Sequence, residues 1–375
     1  MKNSSLDIRE IAPAPIIMPP DPWAEKNDRG QSVKESAETI LPARQQWPEL
    51  LGLDACPAVE QILRRALLDP IEELTSMRGK RIRGQLVTFS YRLLSGDLPA
   101  SVLAGKRCRL AAEAIEFIHA GSLIVDDIED GSAVRRGRPA LHLRYAMPIA
   151  LNAGNWLYFW PFDLLKELAV PKDRLLHIYE SCHRTLLRAH LGQAIDLGAK
   201  IDTLAQKDVG NVCVASIRLK TGALMGFAAL LGAMISASSG RVLSILDDFG
   251  RDLGVALQMY DDLGNAIGKC EPSKRYEDLM LARPSWVWAC AAANSTPRDY
   301  QEFLATVRRL PDSADLEAWL AEHEIIGRTR QSAREYLDCS FRALEERLGA
   351  AGAHWSRRAF DELRDLGEEI AVAYG

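Results

Sequence analysis

Phe117-Ile118-His119-Ala120-Gly121-Ser122-Leu123-Ile124-Val125-Asp126-Asp127-Ile128-Glu129-Asp130 carries no acid or base until Val125 and then turns sharply acidic. On a helix, Asp126 and Asp130 lie four residues apart and share a face. Like charges at that spacing destabilise a helix by roughly 0.2–0.5 kcal/mol. A cation held between them reverses the sign. Carboxylates suit magnesium, a hard ion usually held by one or two carboxylates together with substrate phosphates. A second acidic cluster, Asp261-Asp262-Leu263-Gly264-Asn265, closes the apolar stretch Gly254-Val255-Ala256-Leu257-Gln258-Met259-Tyr260. One acidic string alone reads as a solvated helix face. Two of them, each ending an apolar helix and the first followed by Arg135-Arg136-Gly137, read as a magnesium–diphosphate clamp in a cleft.

Outward from these clusters, apolar residues recur at spacings of three and four from residue 47 onward. Leu63, Leu67, Leu68 and Ile71 show it, as do Leu110, Ala114, Phe117 and Ile118, and Leu246, Phe249 and Leu253. No run of alternating β-branched residues appears. The expected fold is all-α, one large bundle over 47–375. Gly96-Asp97-Leu98-Pro99, Gly137-Arg138-Pro139, Pro148 and Glu271-Pro272-Ser273 read as loops. Residues 1–46 hold prolines 13, 15, 19, 20, 22 and 43 among mixed charges and read as a disordered extension. That extension lacks a signal peptide's apolar core, and its acids (Asp7, Glu10, Asp21, Glu25) argue against a transit peptide.

Composition excludes several classes. The net charge is −5 over 375 residues, which is no nucleic-acid footprint. The 7 cysteines (56, 108, 182, 213, 270, 290 and 339) form no CxxC pair, so neither a zinc site nor a disulfide framework is indicated. A dispersed, odd set suits a reducing cytosol, and a cytoplasmic protein is expected. Gly222 to Gly240 is uncharged and reaches the usual length of a membrane span. It is rich in Gly, Ala and Ser and flanked by Lys220 and Arg241, so the expectation is a buried central helix and no membrane span.

Four further segments carry chemistry. Arg78-Gly79-Lys80-Arg81-Ile82-Arg83-Gly84 frames cations with glycines, as a phosphate-binding loop does. Leu191-Gly192-Gln193-Ala194-Ile195-Asp196-Leu197 sets a polar pair in apolar sequence. Lys220-Thr221-Gly222 opens the uncharged helix, and Lys269 to Arg283 is a charged stretch after the second cluster. Between the clusters, Trp156, Tyr158, Phe159, Trp160 and Phe162 read as core, a role compatible with an apolar wall around a hydrocarbon.

In this order the segments resemble the trans-isoprenyl diphosphate synthases, or polyprenyl synthetases, over about residues 70 to 290. The shared pattern is a GGKRxRP-like loop, DDxxD with RRG downstream, GQxxD, KT and GxxxQxxDD. The resemblance implies an isoprenoid-synthase bundle around a central substrate cavity, commonly a homodimer. It implies that Asp126, Asp127 and Asp130, with Asp261, Asp262 and Asn265, hold three magnesium ions on an allylic diphosphate. Arg135, Lys220 and Lys274 would contact that diphosphate. Lys80, Arg83, His119 and Arg136 match the family's site for isopentenyl diphosphate, and Thr221 and Gln258 flank the reacting carbons. The implied reaction is magnesium-assisted ionisation of the allylic diphosphate and attack by the double bond of isopentenyl diphosphate.

The chain departs from the pattern at three places. Asn265 stands where many relatives have aspartate, Gly84 where they have proline, and Ala282-Arg283 where they have glycine-lysine. In the family, the position five residues before the first aspartate often forms the tunnel floor; here it is Gly121, preceded by Ala120. Neither blocks a growing chain, so geranylgeranyl diphosphate, with twenty carbons, or a longer product is expected. A terpene cyclase on the same fold has no need of Lys80, Arg83 and His119. A non-catalytic subunit of a heteromeric synthase commonly loses the first aspartate motif, which is intact here. From sequence, Gly121→Phe is expected to shorten the product; an unchanged distribution by mass spectrometry rules out this position as the floor.

Overall fold

Helices with apolar faces need other helices to cover them, and most described residues here are helical. A computed structural model describes residues 41–42, 50–52, 56–77, 79–96, 101–236, 238, 240–269 and 274–374. The chain divides into Met1–Asp54 and Ala55–Gly375. Apart from Leu41 and Pro42, the proline-rich extension 1–46 lies outside the described residues, as do 97–99 and 271–273 of two expected loops.

The first helices are α1 (Pro57–Leu63) and α2 (Asp69–Ser76), joined by a π-helical turn at Arg64–Leu68. Next come α3 (Ile82–Ser95) and the 28-residue α4 (Val102–Glu129), which starts at a Ser101 cap accepting the Ala104 N–H. Short α5 (Leu141–Arg144) leads into α6 (Met147–Lys166), α7 (Lys172–Gly198) and α8 (Gln206–Ile217). A second π-helical turn, Arg218–Gly222, joins α8 to α9 (Ala223–Ile235), and α10 (Gly240–Ile267) follows. The C-terminal part holds short α11 (Glu277–Met280), α12 (Trp286–Ala293), α13 (Pro297–Val307), α14 (Ala314–Glu322), α15 (Ile325–Ala350) and α16 (Arg357–Tyr374).

The all-α expectation holds, with two local corrections. Gly137-Arg138-Pro139 is part of a small antiparallel hairpin, β1 (Val134–Arg135) with β2 (Arg138–Pro139). Its two-residue turn, Arg136-Gly137, has φ of 52° and 73°, the left-handed pair that such hairpins favour. Pro148 is not in a loop: it lies in the first turn of α6, where a missing N–H costs no hydrogen bond.

The uncharged segment is the central helix. Almost all of α9 is buried, between α3, α4, α7 and α10. Among the described residues one helical run, Gln206–Ile235, is long and apolar enough to cross a membrane, and 67% of its most apolar window is buried inside the fold. Small residues let the neighbours approach: a Cβ on Gly232 would meet the Val87 carbonyl oxygen at 2.3 Å, and one on Gly250 the Met225 carbonyl at 2.5 Å. A second core, around Trp288, Tyr300, Phe303 and Trp319, knits the C-terminal helices together.

Because backbone cannot retreat as a side chain can, Gly232→Ala is expected to destabilise the fold by about 1–3 kcal/mol. Denaturant melts read by circular dichroism test this, and an unchanged midpoint would refute the close α3–α9 contact.

Candidate active site

The two acidic clusters end helices that face one another across the Lys220 turn. At the end of α4, consecutive aspartates point in different directions because each residue turns the helix by about 100°. Asp127 is buried and locked by Arg135, whose Nε lies 3.0 and 3.1 Å from its two oxygens and whose Nη2 lies at 2.5 Å. The hairpin returns Arg135 to that place. Asp126 and Asp130 stand on the other face.

Asp126 accepts from Lys220 Nζ at 3.0 Å and from Gln193 Nε2 at 2.9 Å; the same Gln193 nitrogen lies 2.7 Å from Glu129 Oε2. Lys220 also donates to Asp196 Oδ2 at 2.8 Å. Arg283 donates to Asp130 Oδ1 at 2.5 Å and to the Asp196 carbonyl at 2.8 Å. The π-helical turn Arg218–Gly222 supplies Lys220, and π turns recur at functional sites. A Cβ on Gly192 would meet the Lys220 backbone N at 2.3 Å, so only glycine lets α7 approach this turn.

The second cluster is tied to the same turn. Thr221 Oγ1 donates to Gln258 Oε1 at 2.7 Å, and Gln258 Nε2 donates to Asp262 Oδ1 at 2.8 Å and to Asp261 Oδ2 at 3.4 Å. Asp262 is buried and also accepts the Trp286 backbone N–H at 2.6 Å, whereas Asp261 is exposed. Asn265 donates its amide to the Lys274 carbonyl at 3.0 Å, and Lys274 Nζ lies 3.4 Å from Ser132 Oγ, just beyond the first cluster.

Charge is crowded here. Burial opposes the Asp126 carboxylate, but Lys220 and Gln193 outweigh it and hold its pKa below the ordinary value. Burial and the Asp126 charge push Asp130 up to about 6. Burial, with Asp261 and Asp196 nearby, pushes Asp278 up to about 7; burial and Asp278 in turn raise Asp262 well above its usual range. Burial disfavours the Lys220 ammonium, but Asp126 and Asp196 overcome it and keep Lys220 protonated.

These donors fit magnesium. They are hard carboxylate oxygens whose mutual repulsion a divalent ion relieves, and Asp126, Asp130 and Asp261 are the residues that would hold it. Among the described residues no three acids, histidines or cysteines form a ready-made cage. Magnesium carried partly by substrate phosphates requires none.

A basic group lies beside the acids. The Lys80 ammonium sits over the Tyr374 ring, 3.4 Å from its centroid, which brings the end of α16 to this place. Arg136 donates to the Met77 carbonyl at 3.1 Å, and its guanidinium lies against Gly79. Burial, then Arg83, Arg136 and Arg135, hold His119 neutral, as a hydrogen-bonding group and not an added cation.

Two expectations bear on the packing of α4 against α6. A Cβ on Gly121 would lie 2.8 Å from the Gly154 carbonyl oxygen and 2.9 Å from Leu157 Cβ. Gly121 is thus where α4 crosses α6, and a phenylalanine there separates the helices before it meets a substrate; neighbouring Ala120 is buried too. The aromatic run does not form one wall either, because its residues fall on different faces of α6. Trp160 is buried and stacks on Trp156, Phe159 is 70% exposed, and Phe162 packs on Tyr179. Tyr158 packs on His190, and burial together with Glu129 and Asp126 raises its phenol pKa.

Sequence reading assigned no role to Gln193, Asp196, Asp278 or Arg283. The GQxxD pattern and the segment Glu277-Asp278-Leu279 were the available signals. Tyr374 carries no local signal at all; tertiary packing alone brings it here.

Residues 64–322 match the family model described as polyprenyl synthetase. The chain is 31% identical over 189 residues to a geranylgeranyl diphosphate synthase of Sulfolobus acidocaldarius, covering 49% of this chain and 54% of that protein. It is 32% identical over 210 residues to a short chain isoprenyl diphosphate synthase of Methanothermobacter thermautotrophicus, covering 55% and 60%. A geranylfarnesyl diphosphate synthase of Aeropyrum pernix matches at 26% over 265 residues, covering 69% and 81%. The match thus spans little more than half the length of the first two relatives. A crystal structure of a geranylgeranyl pyrophosphate synthase superposes with a TM-score of 0.70 at 21% identity, covering 88% of this chain and 98% of that one. The Pyrococcus horikoshii geranylgeranyl pyrophosphate synthetase gives 0.68 at 24%, covering 83% and 94%. These likenesses show that the fold is shared.

Gly192→Ala tests the central contact. It is expected to keep helix content while displacing Lys220, with about a 10²-fold fall in the turnover proposed in the next subsection. Wild-type rates in this variant would refute a positioning role for the α7 approach.

Proposed function

The chain belongs to the polyprenyl synthetase family, and on that footing we propose that it condenses isopentenyl diphosphate with an allylic diphosphate. The observation that carries this reading is Lys220, bonded to Asp126 and Asp196 while its neighbour Thr221 leads through Gln258 to Asp262. One short turn connects both acidic motifs to a fixed cation.

The residues divide the work. Lys220, Arg135 and Arg283 are cations beside carboxylates, placed to exchange those partners for the oxygens of an allylic diphosphate. Charge develops on that diphosphate as its C–O bond breaks, and fixed cations lower the barrier. Magnesium, held by Asp126, Asp130 and Asp261, would add Lewis-acid neutralisation of the same leaving group. Thr221 and Gln258 lie between the motifs, beside the carbons that react. Lys80, Arg83, His119 and Arg136 hold the diphosphate of isopentenyl diphosphate, whose double bond attacks the allylic cation. The proton then lost goes to the departing diphosphate, so no dedicated side-chain base is required. Retention of this second basic group supports elongation over cyclisation.

The product in this reading has twenty or twenty-five carbons, in keeping with relatives named for geranylgeranyl and geranylfarnesyl diphosphate. The assembly is a homodimer, and the apolar residues exposed on α6 and α7, Leu151, Phe159, Leu187 and Leu191, support such an interface.

The test is a product assay. With magnesium, isopentenyl diphosphate and allylic starters of 5, 10, 15 or 20 carbons, the chain is expected to yield diphosphates longer by five-carbon steps in mass spectra. Asp126→Ala is expected to abolish them. A hydrocarbon or alcohol formed without isopentenyl diphosphate would point to a cyclase, and no turnover with any starter would refute the proposal.

A further inference from the structure

Helix α3 starts without a side-chain cap of its own. Its N-cap residue, Arg81, is left-handed with φ of 47°, so the first N–H groups need outside acceptors. One acceptor comes from α4: the Gly84 N–H donates to Glu116 Oε1 at 2.7 Å. Gly84 occupies the place where the resembled loop carries proline, and proline has no N–H to donate. The bond therefore depends on the departure itself. Space is limited as well, since a Cβ at position 84 would lie 3.3 Å from Glu116 Cγ and Oε1 and from Ala112 Cβ.

Glu116 has notable neighbours. It is half-buried and lies one turn before His119 on α4. Its charge acts on both Arg83 and Arg136 and opposes the burial that disfavours the Arg83 guanidinium. Arg83 Nε is buried with no hydrogen-bond partner, which leaves the charge of Glu116 to steady that guanidinium. Two guanidiniums beside one another repel. An anchored carboxylate on α4, acting on Arg83 of α3 and on Arg136 of the hairpin turn, offsets that repulsion one turn before His119.

We propose that Glu116 is a positioning residue for the isopentenyl diphosphate subsite: anchored by the Gly84 N–H, its carboxylate orients Arg83 and Arg136 toward the incoming diphosphate. This rests on the reading that Lys80, Arg83, His119 and Arg136 bind that substrate. The role separates from allylic binding, because Lys220 bonds to Asp126 and Asp196 whereas Glu116 bonds to Gly84 at the start of α3.

The experiment uses the full chain and three variants, Glu116→Ala, Glu116→Gln and Gly84→Pro. Calorimetry measures isopentenyl diphosphate binding, steady-state assays give KM for each substrate, and thermal melts check the fold. Glu116→Ala is expected to weaken isopentenyl diphosphate binding about tenfold, the effect of losing a hydrogen bond to a charged group. KM for the allylic substrate should stay within about twofold, well below the effect of that lost bond. Glu116→Gln, whose amide oxygen can still accept from Gly84, should fall between wild type and alanine. Gly84→Pro, which keeps the carboxylate but removes its anchor, should raise KM for isopentenyl diphosphate selectively. Unchanged or tighter binding in Glu116→Ala would overturn the proposal, as would equal losses for both substrates. A folded wild-type chain that does not bind isopentenyl diphosphate would remove the subsite and this proposal with it. That result is distinct from a binding wild type with indifferent variants, which sinks the Glu116 role alone.

Discussion

The Lys220 ammonium, held 3.0 Å from Asp126 and 2.8 Å from Asp196, is the contact on which the site depends. It joins three parts of the chain far apart in sequence: the end of α4, the end of α7 and the π-helical turn before α9. Its geometry is demanding. Removing one partner of a buried ion pair costs about 3–5 kcal/mol because the other charge is left uncompensated; here Lys220 remains one-third exposed, so solvent screens part of that. That exposure leaves the ammonium an open direction besides its two carboxylates.

Around that contact the acids outnumber what the cations can satisfy. Arg135 locks Asp127, Lys220 serves Asp126, and Arg283 serves Asp130, yet Asp130, Asp262 and Asp278 still have raised pKa values from burial and from neighbouring carboxylates. A folded chain tolerates such frustration where a ligand relieves it. The basic group around Lys80, Arg83, His119 and Arg136 is the opposite case, with cations crowded together and the histidine driven neutral. Regions of opposite excess charge thus lie side by side.

Glycine sets the distances. Gly192 admits α7 to the Lys220 turn, Gly232 admits α3 to the central helix, and Gly121 admits α6 to α4. In each case a Cβ would run into backbone, which moves only with its whole helix. At Gly121 the α6 backbone takes up the space that a side chain would need. A small residue leaves room, and sequence alone does not say whether substrate or a neighbouring helix uses it.

The sequence by itself determined the helical class, the buried character of the uncharged segment, and the two acidic motifs with their basic partners. All of these are local: periodicity, spacing and charge are properties of neighbouring residues, and 3.6-residue geometry converts them directly into faces. Even the direction of Asp126 with Asp130 was legible, because four residues bring a helix back to the same side. Tertiary structure alone decided which helices those faces meet. It gave Asp127 to Arg135 and took Asp196 and Arg283 into the site. It brought Tyr374 from the far end of the chain onto Lys80, spread the aromatics of α6 over separate neighbours, and filled the space beside Gly121 with backbone. Each of these depends on the approach of two helices distant in sequence, a distance set by the side chains of both and by the packing of everything behind them.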